Sequence, residues 1–470
     1  MIPARLMSDQ RIEKDSMGEM PVPADALYGA STQRAVLNFP VAGRGFDRSM
    51  IRAMGLIKWA AALANKDLGV VPADKCDLIA QAAEQVVNGE HDQHFVVDVY
   101  QTGSGTSTNM NANEVIANLC SKIAGQPIGS KEPVHPNDHV NQGQSSNDTI
   151  PTAIHIATAE SLKNTLLPQL TALQVSLNEK AVAFHDVLKI GRTHLMDATP
   201  VRLGQEFAGY ARQLELSCDR VHKAIEALLE LPLGGTAVGT GLNCHPEFPP
   251  KAIAFIAKQT GIDFKEAKDH FEAQAAKDAL VEASGQLKTI ATSLFKIAND
   301  VRWLGSGPRC GIGEISLPST QPGSSIMPGK VNPVMCESLM QVAARVMGND
   351  SSVTWAAANG NFELNVMMPV LADSLLESIN LLANASLIFR ERCVNGIEAN
   401  EARCNELIEY SMSMVTSLAP IIGYDTAAKI AKQSVETGKT VRELCVEMEV
   451  MPPDELKAAL DPATMTAPSA

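Results

Sequence analysis

Four segments of the chain combine small residues with hydroxyl, amide, imidazole or ammonium side chains, which suits the binding of a carboxylate or another oxyanion. The first runs from Thr102 to Asn111 and mixes Gly with Ser, Thr and Asn. Glycine allows backbone turns that direct several N–H groups at one point, and the hydroxyls and amides add donors. An alternative interpretation, a polar loop that caps a helix following at Asn113 and Glu114, accounts for the same residues.

The second segment joins two motifs, from His135 to His139 and from Gln144 to Asp148. Two histidines four residues apart suggest a metal pair, but Pro136 argues against a helix there and no third ligand is nearby, so we predict no metal site. The residues from Ser145 to Asp148 predict an N-cap for a helix that starts near Pro151. Because a helix N-terminus favours negative charge, capping and anion binding are compatible.

The third and fourth segments carry the imidazole and the ammonium group. Gly191 to His194 places one histidine near a predicted helix end, where a structural role is the commoner one. Gly323 to Pro333 is punctuated by Gly and Pro at both ends and is therefore predicted to be a loop. It is long enough to act as a lid, and a flexible linker would not explain Lys330 and Asn332. A Walker-type phosphate loop is excluded, because no Ser or Thr follows the Gly-Lys pair.

Long helical patterns predict the scaffold that positions these segments. From Leu280 to Val301, apolar residues recur at steps of three and four, which indicates a helix about 30 Å long with one apolar stripe. Before about Val140 the chain instead shows shorter helical patterns between Gly/Pro-rich turns, and strand-like alternation is scarce throughout. Similar long patterns, which together predict an elongated helical bundle, cover 152–184 with a kink at Pro168, 203–229, 333–358 and 369–390.

The composition narrows the class of protein. The chain has 470 residues, of which 45% are hydrophobic, so it can bury a sizeable core. Its 39 basic and 53 acidic residues give a net charge of −14, and the chain has no basic run, which argues against nucleic acid and membrane partners. Nine scattered cysteines without a CxxC motif indicate reduced thiols. With no signal-peptide pattern and no apolar stretch of about 18 residues, we expect a soluble, cytoplasmic protein.

The segment from Gly323 to Pro333 resembles the signature of the fumarase/aspartase superfamily. The resemblance covers nearly the whole chain, and all four polar segments match in order. Within the superfamily the sequence is similar to class II fumarases at three positions. Gly329 stands where aspartases carry Ala, His194 where they usually have Gln, and Ser146 where they tend to have Thr.

The resemblance implies a mainly α, fumarase/aspartase-like fold in which long helices of a central domain form the core of a homotetramer. Each active site is then assembled from three chains, with no metal and no organic cofactor. We predict three domains: an N-terminal lyase domain (1–142), a central long-helix bundle (143–395) and a small helical C-terminal domain (396–470).

The reaction that the resemblance implies is the reversible hydration of fumarate to (S)-malate, a lyase step of the tricarboxylic acid cycle. By resemblance, Ser324 is the general base, His194 acts through water as the general acid, Glu337 orients His194, and Lys330 stabilises negative charge. The division of the proton transfers between Ser324 and His194 stays open. The residues that match substrate-binding positions of the family are Ser104, Gly105, Thr106, Ser145, Ser146, Asn147, Thr193, Ser325 and Asn332.

The family also suggests a second dicarboxylate site at His135, Asn137 and Asp138. Family members often carry a basic pair just before this motif, whereas Glu132 and Pro133 intervene here. Two other functions are alternatives to the fumarase interpretation. One is an aspartate ammonia-lyase of the same superfamily. The other is a non-catalytic helical scaffold, although such a scaffold has no reason to keep the full polar constellation.

Overall fold

Helices dominate residues 9–468, the part of the chain that the computed structural model describes. The prediction of a mainly α fold is confirmed. The helices are α1 (Ala30–Asn38), α2 (Arg48–Asp67), α3 (Ala73–Val87), α4 (Thr106–Ile123), α5 (Ser146–Ser161), α6 (Leu167–Ala183), α7 (Leu203–Ala227), α8 (Phe248–Thr260), α9 (His270–Ala275), α10 (Asp278–Leu304), α11 (Val334–Ala358), α12 (Met368–Arg392), α13 (Glu401–Tyr410), α14 (Ala419–Ile422), α15 (Tyr424–Thr437), α16 (Val441–Glu447) and α17 (Pro453–Ala459).

The strands are short and pair two by two within the described residues. They are β1 (Gln10–Asp15), β2 (Gly18–Pro23), β3 (Leu188–Thr193), β4 (Met196–Arg202), β5 (Glu230–Leu231), β6 (Lys265–Glu266), β7 (Ile315–Ser316), β8 (Gly360–Asn361), β9 (Leu364–Asn365) and β10 (Glu398–Ala399). All pairs are antiparallel except β5 with β6.

The long helices predicted from periodicity are present. Helix α10 buries the stripe that includes Leu280, Leu287 and Leu294, each no more than 1% exposed. Helices α7, α11 and α12 match the other predicted patterns to within a few residues. The predicted kink near Pro168 corresponds to a π-helical turn, Leu162–Leu166, between α5 and α6.

The prediction of only short helices before Val140 is wrong. Helix α2 has 20 residues and α4 has 18. Helix α2 buries residues on nearly all sides, so its sequence lacks the polar face from which a helical period is recognised. Gly55, in the interior of α2, also suggests a break in the helix. In the structure a Cβ there would lie 3.1 Å from Val86 and Val87, so the glycine permits close packing on α3.

The chain divides into two compact units, each composed of three chain segments. Unit 1 contains the described residues up to Pro168 together with Asp219–Ala291 and Ala344–Ala383. In unit 1, α2 packs against α3, α5 and α8, and α4 packs against α1 and α3. The first polar segment lies at the N-terminus of α4, and the second ends at the N-terminus of α5.

Unit 2 contains Gln169–Cys218, Thr292–Ala343 and the described residues from Asn384 onward. Its hairpin β3–β4 packs against α13. A separate apolar core, which includes Ile408, Leu418 and Leu444, lies near the C-terminus. The division of the sequence into three domains at 142 and 395 stays a prediction. No helix within residues 9–468 has the length and apolar character needed to span a membrane.

Candidate active site

The first polar segment is a tight turn followed directly by a helix. Helix α4 begins at Thr106, so only the first four residues of the segment form a loop. Gly105 precedes the helix with a φ of 71°, in the left-handed region that favours glycine. At Gly103, a Cβ would lie 1.8 Å from the carbonyl oxygen of Val366, so only glycine fits there. Both glycines are therefore required by this turn.

A chain of hydroxyl groups joins the first segment to the second in unit 1. The Ser104 Oγ lies 2.8 Å from the Thr106 Oγ1, which in turn lies 2.7 Å from the Ser146 Oγ. Ser104 is buried and the other two are partly exposed. Three residues predicted to bind substrate are thus in one hydrogen-bonded row, although 40 residues separate the last two.

The second segment caps α5, as its sequence predicts. Ser145 is the N-cap and forms a capping box with Asp148, whose Oδ1 accepts the Ser145 N–H at 2.9 Å. The Asn147 N–H donates to the Ser145 Oγ at 3.2 Å. The helix begins at Ser146 rather than near Pro151, because the capping box fixes its start and leaves the proline inside the helix.

Asp148 also ties a distant loop to the start of α5. It is fully buried, and its Oδ2 accepts the N–H groups of Gly234 and Thr236 at 3.0 and 2.9 Å. Burial raises the pKa of Asp148, and the backbone N–H donors oppose this shift. The Asn147 side-chain amide donates to the Ala237 carbonyl at 2.8 Å. The loop around Thr236 therefore holds Asn147 and Asp148 in fixed orientations.

Sequence reasoning missed a buried lysine behind these segments. The Lys58 side chain, on α2, is fully buried and donates to the side-chain oxygens of Asn109, Asn141 and Gln144 at 2.7, 3.0 and 2.9 Å. Burial lowers its pKa to about 7. The sequence contains a signal for it, because Lys58 interrupts an otherwise apolar run. Met54 and Ala61, four residues before it and three after it, share its face of the helix and are also buried.

The motif around His135 forms a π-helical turn, Pro136–Val140, although Pro136 argues against a helix there from the sequence alone. Proline is tolerated at the first position of a helix, where its missing N–H has no partner in any case. The His135 Nδ1 accepts the N–H groups of Asn137 and Asp138, and the His139 Nδ1 accepts the N–H of His135. Within residues 9–468, no group of three or more His, Cys, Asp or Glu side chains is arranged to hold a metal.

A cavity of about 410 Å³ in unit 1 is lined by His135 and Asn137. Lys14 and Lys131 also line it, and the Lys131 ammonium donates to the Lys14 carbonyl at 2.9 Å. Asp138 does not line the cavity; its carboxylate lies 3.3 Å from the His135 Nδ1. Two of the three residues predicted for a second site therefore face one cavity, together with two lysines and the three carboxylates of Glu13, Asp15 and Glu114.

In unit 2, His194 lies at the tip of a hairpin rather than near a helix end. Thr193 pairs with Met196, and the two turn residues, His194 and Leu195, have φ values of 57° and 61°. Positive φ at both central residues is what a two-residue hairpin turn with the right-handed twist requires. Thr193, His194 and Leu195 are all exposed. The hairpin thus presents Thr193 and His194 away from the fold of their own unit.

A buried ion network holds strand β3 of this hairpin at Lys189 and at Arg192. Glu314 has no exposed side-chain area, and its Oε2 lies 2.9 Å from the Arg192 Nη1 and 3.2 Å from the Lys189 Nζ. Lys189 also donates to the Glu206 Oε1 at 2.8 Å. Burial raises the pKa of Glu206, and Lys189 opposes this shift. These residues were not predicted, because their charges are far apart in the sequence.

The fourth segment is a closed loop, as predicted. The Gly323 N–H donates to the Lys330 carbonyl at 2.7 Å, and the Asn332 side-chain amide donates to the Gly323 carbonyl at 2.9 Å. The Ser324 Oγ accepts the N–H groups of Ile326 and Met327, at 3.3 and 3.0 Å. A cleft of about 440 Å³ is lined by both Ser324 and Lys330. Ser325 is exposed on the same loop.

Two family models match the chain, and together they span most of it. The "Lyase" model matches residues 18–348, and the "Fumarase C C-terminus" model matches 414–467. The fumarate hydratase class II of Halobacterium salinarum is 55% identical over 461 residues, with 98% of each chain covered. That of Corynebacterium glutamicum is 54% identical over 461 residues, covering 97% of this chain and 96% of the relative. This chain belongs to the class II fumarate hydratase family.

Solved structures of relatives have the same fold. The class II fumarase of Schistosoma mansoni superposes with a TM-score of 0.95 at 38% identity, covering 98% of this chain and 100% of the other. A fumarate lyase:delta crystallin of Brucella melitensis, solved with bound cobalt, gives 0.94 at 44% identity with the same coverage. The predicted resemblance to class II fumarases and the predicted fold are confirmed.

The predicted contact between Glu337 and His194 does not form within a single chain. Glu337 lies in the first turn of α11 and is half-buried. Among the contacts of residues 9–468, none joins Glu337 to His194, although both belong to unit 2. The Lys330 ammonium is likewise exposed, with no hydrogen-bond partner in the described part of the chain. These three side chains are free to meet groups from outside their own chain.

Proposed function

We propose that this chain catalyses the reversible hydration of fumarate to (S)-malate. The observation that carries the proposal is the hydroxyl row of Ser104, Thr106 and Ser146, in which Thr106 and Ser146 are the first residues of α4 and α5. Helix N-termini favour anions, and neutral hydroxyl donors can hold a carboxylate without a basic patch. This explains how a chain with a net charge of −14 accepts a dianion.

The substrate carboxylates are held by the donors that match the family's binding positions. Asn147 has one amide hydrogen engaged by the Ala237 carbonyl, which orients the group for substrate. Asn332 is oriented in the same way by the Gly323 carbonyl. The full set is Ser104, Gly105, Thr106, Ser145, Ser146, Asn147, Thr193, Ser325 and Asn332.

In the dehydration direction, a base removes a proton from the carbon next to one carboxylate. That carboxylate becomes dianionic, an aci-carboxylate, and must be stabilised before hydroxide leaves. Donors that are already oriented toward the developing charge supply most of such stabilisation. Lys330 and Asn332 perform this task.

Ser324 acts as the general base. A serine hydroxyl is a weak base unless its oxyanion is stabilised, and the N–H groups of Ile326 and Met327 both donate to the Ser324 Oγ. Lys330 lines the same cleft and adds positive charge. The loop from Gly323 to Pro333 closes over bound substrate, which excludes water and strengthens these interactions.

His194 acts through a water molecule as the general acid toward the leaving hydroxyl, and Glu337 orients it. The enzyme is a homotetramer in which three chains contribute to each active site. Exposure of Thr193 and His194 at the hairpin tip supports this arrangement, because the site is incomplete in one chain. The reaction needs no metal and no organic cofactor.

A second dicarboxylate-binding site lies at His135, Asn137 and Asp138. The cavity lined by His135 and Asn137 supports it, since Lys14 and Lys131 lie there and two of the three carboxylates in the same lining, Glu13 and Asp15, are paired with Arg11 and Arg34. We further place the enzyme in the cytoplasm, in the tricarboxylic acid cycle.

The test is the ultraviolet absorbance of fumarate after purified, chelator-treated protein is mixed with L-malate. Rising absorbance is expected and would also establish that no removable metal is needed. A flat trace with L-malate and a rise with L-aspartate would make the chain an aspartate ammonia-lyase. No change with either substrate would leave a non-catalytic scaffold or a lyase of the superfamily that acts on another substrate.

A further inference from the structure

Lys58 is a buried lysine whose side chain contacts residues of the first two polar segments, including the turn between the two motifs of the second. It lies on α2, its side chain has no exposed area, and its ammonium donates to three side-chain oxygens. One of these belongs to α4, at Asn109. The other two belong to the turn before α5, at Asn141 and Gln144. Lys58 thus joins the two helix starts that carry the hydroxyl row.

Each of the three amides is held with its oxygen toward Lys58. The Asn141 amide donates to the Gln144 carbonyl at 3.0 Å, and its Oδ1 also accepts from Asn109 and Asn113 at 3.1 and 3.2 Å. The Gln144 amide donates to the Val140 carbonyl at 3.2 Å. All three partners of Lys58 are therefore acceptors, which suits an ammonium with three hydrogens. Around an apolar side chain, the Asn109 and Gln144 oxygens would lose this donor, whereas the Asn141 oxygen would keep its two amide donors.

The path from this cluster to the substrate-binding hydroxyls is short. Asn109 lies on α4, three residues after Thr106, and Gln144 directly precedes Ser145, the N-cap of α5. The hydrogen bond between the Thr106 and Ser146 hydroxyls crosses the same gap between α4 and α5, at 2.7 Å. A change in the spacing of the two helix starts would break this bond and misplace the carboxylate donors.

We propose that Lys58 is a positioning residue for substrate binding, because its ammonium fixes the spacing of the α4 and α5 N-termini through Asn109, Asn141 and Gln144. This inference rests on the proposed function. Asp148 is the ionisable neighbour whose charge opposes the lowering of the Lys58 pKa by burial. Lys58 has no exposed area with which to contact substrate, and it lies on a different chain segment from Ser324 and His194.

The test compares Lys58→Met with the wild type. Methionine keeps an unbranched side chain, one atom shorter than that of lysine, and removes all three donors. Donors that hold a carboxylate equally in the bound substrate and in the transition state affect KM rather than kcat. We expect the KM for L-malate and the Kd of succinate, a saturated dicarboxylate probe, to rise at least tenfold, while kcat changes by less than threefold.

The matched control is Lys277→Met. Lys277 is also buried in unit 1, but its ammonium donates only to the main-chain carbonyls of Ala273, Gln274 and Ala276. Burial lowers its pKa to about 7, as for Lys58. We expect Lys277→Met to lower the melting temperature with KM unchanged. Equal increases in KM for the two variants would reduce Lys58 to a general stabilising role and overturn the proposal.

Gln144→Met removes a single acceptor, and it keeps the proposal testable if Lys58→Met does not fold. We expect a KM about threefold higher, with kcat unchanged. An unchanged KM in every folded variant of an active enzyme would overturn the role of Lys58 and leave the hydratase function standing. A wild type that binds succinate without turning over L-malate, and loses that binding in the variants, would refute the hydratase function alone. A wild type that neither binds nor reacts would refute both.

Discussion

The hydroxyl oxygens of Thr106 and Ser146 lie 2.7 Å apart, and each residue is the first of its helix. The positive ends of two helix dipoles, those of α4 and α5, therefore meet at one pair of side chains. Ser104 extends the row by a further hydrogen bond of 2.8 Å. An oxyanion placed here receives hydroxyl donors and favourable helix dipoles without any cationic side chain.

Replacement of the central member of this row should weaken substrate binding. Thr106→Val keeps the shape of the side chain but leaves the hydroxyls of Ser104 and Ser146 without their shared partner. A hydrogen bond to a charged group contributes about 1.5–3 kcal/mol, so we expect the KM for L-malate to rise about tenfold or more. Steady-state kinetics of fumarate formation measure this change.

Ser107→Ala is the control for the Thr106 variant. The Ser107 hydroxyl lies 3.0 Å from that of Thr102, one residue further along α4 and outside the row. We expect a KM within about twofold of the wild type, because Ser107 is half-buried and its hydroxyl pairs with Thr102 rather than with the row. If Thr106→Val also left KM at that level, the row would not be part of the binding site.

The hydroxyl of Ser324 should be needed for turnover rather than for folding. Its oxygen accepts two loop N–H groups, so Ser324→Ala removes the proposed base while the loop keeps its closing bond between Gly323 and Lys330. General base catalysis typically contributes 10²–10⁴-fold, and we expect kcat to fall by about that factor. Size-exclusion chromatography with light scattering should give the same mass as for the wild type.

Ser319→Ala provides the comparison, because Ser319 is exposed and lines the same cleft as Ser324 but lies before the loop closure and accepts no N–H group of the described loop, so it tests whether any hydroxyl of the cleft is enough. We expect that variant to keep the wild-type kcat. A Ser324→Ala enzyme with near-normal kcat would remove Ser324 from catalysis and transfer the base role to another group.

Most of the fold was predictable because the long helices carry regular apolar stripes, as α10 does at Leu280, Leu287 and Leu294. The hairpin β3–β4 was not predictable in the same way. Apolar and polar residues alternate only weakly along its strands. Its turn places Leu195 at a φ of 61°, a conformation in which glycine or asparagine is expected. As a result, His194 was assigned to a helix end instead of a hairpin tip.

The candidate site could be predicted where the donors are consecutive in the sequence, as from Ser145 to Asp148. It could not be predicted where the supporting residues are far apart. Lys58 meets Gln144 across 86 residues, and Arg192 meets Glu314 across 122. Local spacing contains no information on such pairs, because they are brought together only by helix packing and by the burial of complementary charges.

Loss of the carboxylate at Glu314 should destabilise unit 2. Glu314 is completely buried and compensates the charges of Lys189 and Arg192. Removal of one partner from a buried ion pair leaves an uncompensated charge and costs about 3 kcal/mol or more in the free energy of unfolding. We expect Glu314→Gln to lower the urea midpoint at a fixed protein concentration.

Glu406→Gln is the matched surface change in unit 2. Glu406 pairs with Arg403 at 2.8 Å and is about half exposed, and such pairs contribute at most about 1 kcal/mol. A Glu314→Gln midpoint no lower than that of Glu406→Gln would mean that the buried network does not stabilise the hairpin.

His155 should make the folded protein less stable in acid. It is buried on α5, with 7% of its surface exposed; its Nδ1–H donates to the Leu228 carbonyl at 3.1 Å, and burial lowers its pKa to about 4 from 6.5. Between these two pH values the unfolded chain binds a proton that the folded chain does not. Stability from this group is therefore fully present above pH 6.5 and falls as the pH drops toward 4, by about 3 kcal/mol in total.

His155→Gln should remove this part of the pH dependence, since glutamine can still donate to the Leu228 carbonyl but does not titrate. Carboxylates contribute to acid destabilisation in both proteins, so the informative quantity is the difference between the two urea midpoints at each pH from 4 to 8. We expect this difference to change between pH 4 and 6.5 and to be constant above it. His185→Gln, at an exposed position, should follow the wild type throughout. Parallel curves for wild type and His155→Gln would show that His155 binds its proton equally in the folded and unfolded states.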